Sequence, residues 1–284
     1  MARLGCLFTG LLGIICLSVD VRALKIGAFN VKVFGVSKMS KPDVVQVLTD
    51  ICALYDIIMI QEIRDKSGES IIQLLNEVNS ITGNAYSMVI SERLGRTSSK
   101  EEYCFFYRHG KVSVVDSYHY DDGYPDDGAS DTFEREPFIV RFSSPTTVVE
   151  DFAIAAIHVK PDDAVAENDA LADVYDDIVS RWNLRDVLIA GDLNADCNYV
   201  GKGDWSDIRL RTQSRFTWLI GDNADTTVSS TNCAYDRLVV AGPSLPRTVR
   251  SGQSQVFYFD TYYGLSYELA YDVSDHYPVE LVLR

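Results

Sequence analysis

Val187-Leu188-Ile189-Ala190-Gly191-Asp192-Leu193-Asn194 passes from four apolar residues into a glycine and then two polar side chains two positions apart. A short, wholly apolar run bounded by turn residues has the length and composition of a strand buried on both faces. Its abrupt ending puts polar groups where the core stops. Gly191 lets the chain turn, and Asp192 and Asn194 can both point into one place. Other runs behave alike. Leu24–Phe29 ends in Asn30, Ile57–Ile60 in Gln61-Glu62, and Phe152–Ile157 in His158. In the opposite sense, Asp236 precedes Leu238–Ala241, and Asp275-His276 precede Val279–Leu283. Strand ends and antiparallel strand starts can meet along one sheet edge, where a rigid scaffold presents convergent polar groups.

Further strand-like runs are Tyr86–Ile90, Tyr103–Tyr107, Val112–Val115 and Phe138–Phe142. Helical spacing is found at Asp43–Tyr55, Glu69–Ile81 and Val165–Trp182. In the last, Val165, Leu171, Val174, Tyr175, Ile178, Val179 and Trp182 share one face, and Asp173, Asp176 and Asp177 point outward. Strands outnumber helices, and the helices are scattered among them. The pattern predicts an α/β chain of the α+β type, with two packed mixed β-sheets flanked by helices. No Gly/Ser/Pro-rich linker, low-complexity tract or internal repeat interrupts residues 24–284, so one domain is expected there.

Met1–Ala23 reads as a secretory signal peptide: Arg3 starts it, Leu4–Leu17 is apolar, and Val21-Arg22-Ala23 ends on a small residue. The run is too short for a comfortable membrane span, so a secreted, extracellular chain without a membrane anchor is expected. The net charge is −15. Losing Arg3, Asp20 and Arg22 with the leader makes it one unit more negative. A nucleic-acid binder usually carries the opposite sign, so a polyanionic substrate must meet a local basic patch or bound cations. Cys52, Cys104, Cys197 and Cys233 remain, and four cysteines allow three pairings. Cys52 and Cys104 lie in apolar surroundings, as buried free thiols would. Cys197 and Cys233 lie in polar, loop-like surroundings and are the favoured disulfide. There is no Asn-x-Ser/Thr sequon.

The residue types at these strand ends suit metal-assisted phosphodiester chemistry. The chain has only four histidines. His276 stands beside Asp275, where a carboxylate can hold a hard cation and an imidazole can exchange a proton with a phosphate oxygen. Glu62, alone a solvated strand-end charge, becomes a candidate ligand beside Asp275, Asp192 and Asn30. Mg²⁺ asks for only one or two carboxylates and keeps several waters. His158 is either a satisfied core histidine or, with His276 on the same edge, a catalytic one. In Gly191-Asp192-Leu193-Asn194, Asn194 can orient a phosphate and Asp192 can polarise an attacking water; an ordinary Asx turn is the alternative. Arg93, Arg96, Lys100, Arg64 and Arg135 can form the local basic patch. Asp121-Asp122-Gly123…Asp126-Asp127 and Asp222–Asp225, the latter running on to Thr231, have Ca²⁺-loop composition without the EF-hand pattern.

Together these stretches resemble the deoxyribonuclease I group of the endonuclease/exonuclease/phosphatase superfamily. The resemblance rests on Leu24–Phe34, Ile60–Asp65, Leu94-Gly95-Arg96, Asp121-Asp122-Gly123, Phe133–Pro137, Ala164-Val165-Ala166-Glu167, Gly191–Cys197, Ile208–Thr212, Ala224–Thr227, Thr231–Arg237 and Ser274–Val279. It implies a four-layer sandwich and a secreted monomer that needs Mg²⁺ (or Mn²⁺) and Ca²⁺. It also implies endonucleolytic cleavage of double-stranded DNA to 5′-phosphorylated ends. By motif, Glu101 in Ser98-Ser99-Lys100-Glu101 would orient His158, and Asp236 would pair with His276. Glu62 and Asp275 would hold the catalytic cation. Asn30, Asp192 and Asn194 would bind the phosphate, metal or water. Arg64, Arg96, Arg135 and Tyr235 would contact DNA. Asp225 with Thr227, and Asp122 with Asp131 and Glu136, would match the two Ca²⁺ loops, and Cys197–Cys233 the main disulfide.

The chain also departs from the family. Ser99 stands where the best-known member stacks a tyrosine on a deoxyribose. Tyr124-Pro125-Asp126-Asp127 replaces a short Cys-x-x-Cys bridge, with one residue inserted. Met88-Val89-Ile90-Ser91-Glu92 and Phe138 alter the actin-contact stretch, which leaves actin as a partner open. Two rival readings stand: a sphingomyelinase or inositol-phosphate phosphatase on the same scaffold, and, from a different class, a binding protein that sequesters actin or DNA with little turnover. The arginine set weighs against the first and the intact acid–histidine pairs against the second.

Overall fold

The computed structural model describes residues 23–123, 131–145, 147–249 and 253–284. Met1–Arg22, nearly all of the expected leader, and the Tyr124–Asp127 insertion lie outside the described residues. Among the described residues, twelve strands make two six-stranded sheets. The first runs Ser254–Val256 (β11), Val279–Leu283 (β12), Leu24–Phe34 (β1), Ile57–Ile63 (β2), Glu102–Arg108 (β4) and Tyr86–Ile90 (β3). The second runs Ser113–His119 (β5), Phe138–Ser143 (β6), Asp151–His158 (β7), Val187–Asp192 (β8), Asp236–Ala241 (β10) and Phe216–Trp218 (β9). Both are mixed: β1–β2 and β7–β8 pair parallel, and the other neighbours pair antiparallel.

Side-chain alternation between two packed faces explains why the central strands are largely apolar on both faces. Ile26, Ala28, Ile57, Met59 and Phe105 face Phe138, Val140, Phe142, Ile154, Leu188 and Leu238 in the core between the sheets. Their neighbours point the other way. Phe29, Val31, Ile58 and Ile60 pack under helices Pro42–Ala53 and Glu69–Thr82, through Val44, Leu48, Ile51, Leu74 and Val78. Ala153, Ala155, Ile189 and Val239 pack under Ala164–Trp182, through Leu171, Val174, Tyr175 and Ile178. Helix, sheet, sheet and helix are therefore the four layers. Each fully buried Leu, Ile or Phe contributes about 1.5–3 kcal/mol relative to exposure.

The helices stop where their sequences dictate. Pro42 opens one at a position that needs no N–H. Gly83 and Asn183 close two others in the left-handed conformation, at φ 70° and 51°. The outward acids of Ala164–Trp182 are partnered: Asp173 binds Arg209, Asp176 binds Arg215, and Asp177 accepts from the Tyr118 hydroxyl.

One expectation changes, and some short elements go beyond the sequence reading. β1 and β2 do not end at the polar residues but run through them to Phe34 and Ile63. β9 and β11 are strands of three residues, too short for any alternation to register. The Tyr-rich helices Phe259–Tyr263 and Tyr267–Val273 carry no apolar spacing to betray them.

Cys197 and Cys233 form the disulfide, with Cα atoms 5.9 Å apart, whereas Cys52 and Cys104 are buried free thiols. Burial pushes the Cys52 thiol up to about 12. The bridge closes a sequence separation of 36 residues. A Cys197→Ser/Cys233→Ser protein is therefore expected to lose about 3–4 kcal/mol of stability on the loop-entropy model. Urea unfolding checks this, and an unchanged midpoint would refute it.

Candidate active site

The parity that builds the central core also builds the site. Ile26 and Ala28 face the second sheet, and Asn30 continues their row; Ile57 and Met59 are followed by Gln61. On the second sheet, Ile154 and Ala156 lead to His158, Leu188 and Ala190 lead to Asp192, and Asp236 begins the row of Leu238 and Val240. The inter-sheet layer thus turns polar at one end, and all of these polar residues are buried. Most of them find hydrogen-bond partners there, as buried polar groups usually do, but Asp236 Oδ1 has none. Asn30 donates from Nδ2 across the layer to Asp192 Oδ2 (3.1 Å) and along its own sheet to Glu62 Oε1 (3.1 Å).

Glu62 breaks the parity. As the residue after Gln61 it belongs on the outer face. However, the ladders β1–β2 and β2–β4 both shift register here, and Glu62 takes φ 60°. Lys32 and Val33 opposite it also have positive φ, 44° and 50°. Such residues cost about 1–2 kcal/mol each. The double bulge re-aims Glu62, whose Oε2 accepts the Val33 N–H at 2.8 Å.

Two imidazoles approach Asp192 from the two sides. His158 Nε2 and His276 Nε2 each lie 3.6 Å from Asp192 Oδ2. Each ring has a carboxylate behind it: His158 Nδ1 is 2.9 Å from Glu101 Oε2, and His276 Nδ1 is 2.7 Å from Asp236 Oδ2. The His158 N–H donates to the Tyr103 hydroxyl, and its carbonyl accepts from Arg135 Nε. The His276 N–H donates to Ser274 Oγ. Asp192 Oδ1 accepts the Asn194 N–H, and Asn194 Nδ2 donates to the Val159 carbonyl.

Charge follows from this packing. Burial opposes ionisation of Glu101, but the hydrogen bond and charge of His158, with Arg135 and Arg64, hold its carboxyl down at about 2. Burial likewise opposes a charged His276, but Asp236, Asp192 and Asp275 outweigh it and raise the imidazole above its ordinary value. The depressed Glu101 has a consequence for acid stability. The stability it adds is present above its ordinary value of 4.5 and lost as pH falls towards about 2. The unfolding-temperature gap between wild type and Glu101→Gln is expected to narrow across that window by calorimetry. A gap that stays constant on acidification would exclude the pair as its source.

Two acid sets are candidates for a cation. Asp192, Asp236 and His276 offer ligand atoms within 4.8 Å of one another. Their closest approach is the 2.7 Å hydrogen bond between Asp236 and His276, and both acids are deeply buried, so they leave little room for the waters that Mg²⁺ keeps. Glu62 and Asp275 suit it better. The Asp275 side chain is 32% exposed, and the Lys32 ammonium rests 3.3 Å from its Oδ2, a positive charge already at home against this acid. The open Asp275 carboxylate suits a divalent cation, and Glu62, 13% exposed, would add an oxygen that now accepts from Asn30 or the Val33 N–H.

The remaining expected residues are placed as follows. Arg64 is 35% exposed and donates to Glu101 Oε1 at 2.6 Å, with Ser99 Oγ 3.4 Å away. Arg96 is held by Asp131. Arg135, with only 10% of its side chain exposed, lies behind His158 and does not line the open surface. Tyr235 tilts against Tyr199, with its ring 6.4 Å from that of His276. Asp225 Oδ1 accepts the Thr227 N–H at 3.0 Å, and Thr227 forms a β-bridge with His276, which ties that loop to the site. Asp122 Oδ2 accepts the N–H groups of Thr132 and Phe133. Burial raises Glu136, and Asp122 and Asp131 push the same way, so the three acids share one field. Sequence reasoning assigned no role to Gln61, Tyr103 or Lys32. Only Gln61 carried a signal, as a polar residue ending an apolar run.

Residues 27–276 match the Endonuclease/Exonuclease/phosphatase family. The chain is 52% identical over 261 residues to a Bos taurus protein, Deoxyribonuclease-1, covering 92% of each chain. It is 49% identical over 278 residues to Deoxyribonuclease-1 of Homo sapiens, covering 98% of each. Among solved structures, D. rerio TDP2 complexed with a single-strand DNA product is similar, with TM-score 0.62 and 12% identity, covering 92% of this chain and 99% of that one. At that identity the likeness speaks to the fold alone.

Proposed function

The chain belongs to the deoxyribonuclease I family within the endonuclease/exonuclease/phosphatase superfamily, and from that premise we propose that it is a secreted, divalent-cation-dependent endonuclease that hydrolyses double-stranded DNA. The observation that supports this most is the pair of imidazoles, each backed by its own carboxylate, on either side of Asp192.

Hydrolysis of a phosphodiester needs a water oxygen to attack phosphorus as the P–O3′ bond breaks. One proton leaves the water and one reaches the departing 3′-oxygen, leaving a 5′-phosphate and a 3′-hydroxyl. Two imidazoles in opposite protonation states meet both needs. Glu101 and Asp236 fix the ring orientations and stabilise whichever ring is charged. Asn30 spends its amide hydrogens on Glu62 and Asp192 and so aligns the two acids. Asn194 keeps one amide hydrogen for a phosphate oxygen. A Mg²⁺ or Mn²⁺ ion held by Glu62 and Asp275 would polarise the phosphate and offset its charge.

In this reading Arg64, Arg96 and Tyr235 grip DNA, and Arg135 supports His158 from behind. Asp225 with Thr227, and Asp122 with Asp131 and Glu136, would hold two structural Ca²⁺ ions. The enzyme acts as a monomer. Among the described residues no helix is long and apolar enough to cross a membrane.

Nicking of supercoiled plasmid with Mg²⁺ plus Ca²⁺, with and without EDTA and across a salt series, tests the proposal. EDTA-sensitive nicking to 5′-phosphorylated ends, weakening steeply with salt, is expected. Cleavage that survives EDTA, or turnover of sphingomyelin but not DNA, would overturn it.

A further inference from the structure

Gln61 lies in β2, fully buried, at the end of the row that faces the second sheet. Its Nε2 donates to the Ile157 carbonyl at 2.6 Å, and its Oε1 accepts the Asp192 N–H at 3.0 Å. Ile157 and Gly191 are register partners in the parallel pair β7–β8, as are His158 and Asp192. The side-chain amide of one sheet therefore sits across two strands of the other, at the step before the catalytic residues. It uses one donor and one acceptor from a single planar group, which only an amide offers at this length.

Gly191 bears on this independently. A Cβ there would lie 2.1 Å from the Ile157 carbonyl oxygen and 2.7 Å from Gln61 Nε2. With φ +138° the position is also strained for any other residue. The strand is bare where Gln61 approaches it.

We propose that Gln61 is a positioning residue that sets the spacing between the two halves of the active site. The inference rests on the DNA-hydrolysis reading above. One half is Asn30, the register partner of Gln61, and Glu62, its chain neighbour. The other is His158, which follows Ile157, and Asp192, whose own backbone Gln61 holds. Asn30 links the halves too, but by a contact between two side chains. Gln61 holds main chain, so it fixes where the strand ends themselves lie. Displacements of about 1 Å in such constellations cost on the order of 10²-fold in rate.

The test is kcat and KM on a short DNA duplex with Mg²⁺ plus Ca²⁺, for wild type, Gln61→Met and Gln61→Asn. Each is assayed well below its own unfolding midpoint, with foldedness checked by near-UV circular dichroism. Met keeps the length without either hydrogen bond; Asn keeps the amide one methylene short. Folded Gln61→Met is expected to lose about 10²-fold in kcat, with KM within about twofold, and Gln61→Asn to fall between it and wild type. A kcat within about threefold of wild type in folded Gln61→Met overturns the proposal, as does a loss carried mainly by KM. If only Gln61→Asn folds, a tenfold or larger loss of kcat at unchanged KM supports the proposal and a smaller one overturns it. Failure of both variants to fold also overturns it, since the amide is then a folding element. Wild type that cleaves no DNA refutes the functional reading instead.

Discussion

His276→Ala nicks supercoiled plasmid about 10²–10⁴-fold more slowly than wild type at saturating DNA. The size follows from what the ring does. Its Nδ1 is fixed by Asp236, its Nε2 faces Asp192, and its elevated proton affinity keeps a proton available in the site. Alanine removes the proton carrier and leaves Asp236 buried without its partner, so the variant must first be shown to be folded. KM should change little, because Arg64 and Arg96, the proposed DNA contacts, are untouched. His158→Ala should lose a comparable factor. The double variant should lose far less than the product of the two, because residues acting as a unit are not additive. Nicking by either single variant within threefold of wild type would remove the two-imidazole mechanism.

Asp192→Ala is the second large effect, with an expected loss of about 10²–10³-fold in kcat. Asp192 is almost wholly buried, and its side-chain hydrogen bonds go to Asn30 and Asn194. Oδ2 accepts from Asn30 and faces both imidazoles; Oδ1 accepts the Asn194 N–H. Removing the carboxylate loosens both asparagines and strips the negative charge between the two rings proposed to move protons. Asp192→Asn separates charge from shape, since it keeps an acceptor for one asparagine. If Asp192→Asn retains full activity, the charge is idle and Asp192 is a geometric spacer only.

Much of this was legible beforehand, because the fold and the site share one cause. Strands buried on both faces are apolar at every position, so a polar residue marks the point where the inner face leaves the core. Asn30, His158, Asp192 and Asp236 were visible for that reason. The Asp275-His276 pair was visible through the strand that follows it. Glu101 was not legible from residue chemistry, since it enters through an isolated bridge before β4; only the family resemblance pointed to it. Nor could alternation place Glu62, because a double bulge with left-handed residues reverses its direction. Arg135 reads as surface charge in sequence, yet packs behind His158. A local pattern cannot say which cations a buried acid such as Glu101 will draw inward.

The inner row that ends in His158 and Asp192 is small just behind them: Ala156 and Ala190 each stand two residues back and are buried between the sheets. Each of these two side chains is the last projection of a row whose previous member is a methyl group. The hydrophobic centre of this enzyme is thus the mounting of the groups proposed to do its chemistry. A larger residue at Ala156 or Ala190 would wedge the sheets apart where the imidazole and carboxylate leave them. Such a protein could keep its fold and its grip on DNA while its chemistry drifts out of alignment, so a lesion of catalysis here can begin in the dry interior.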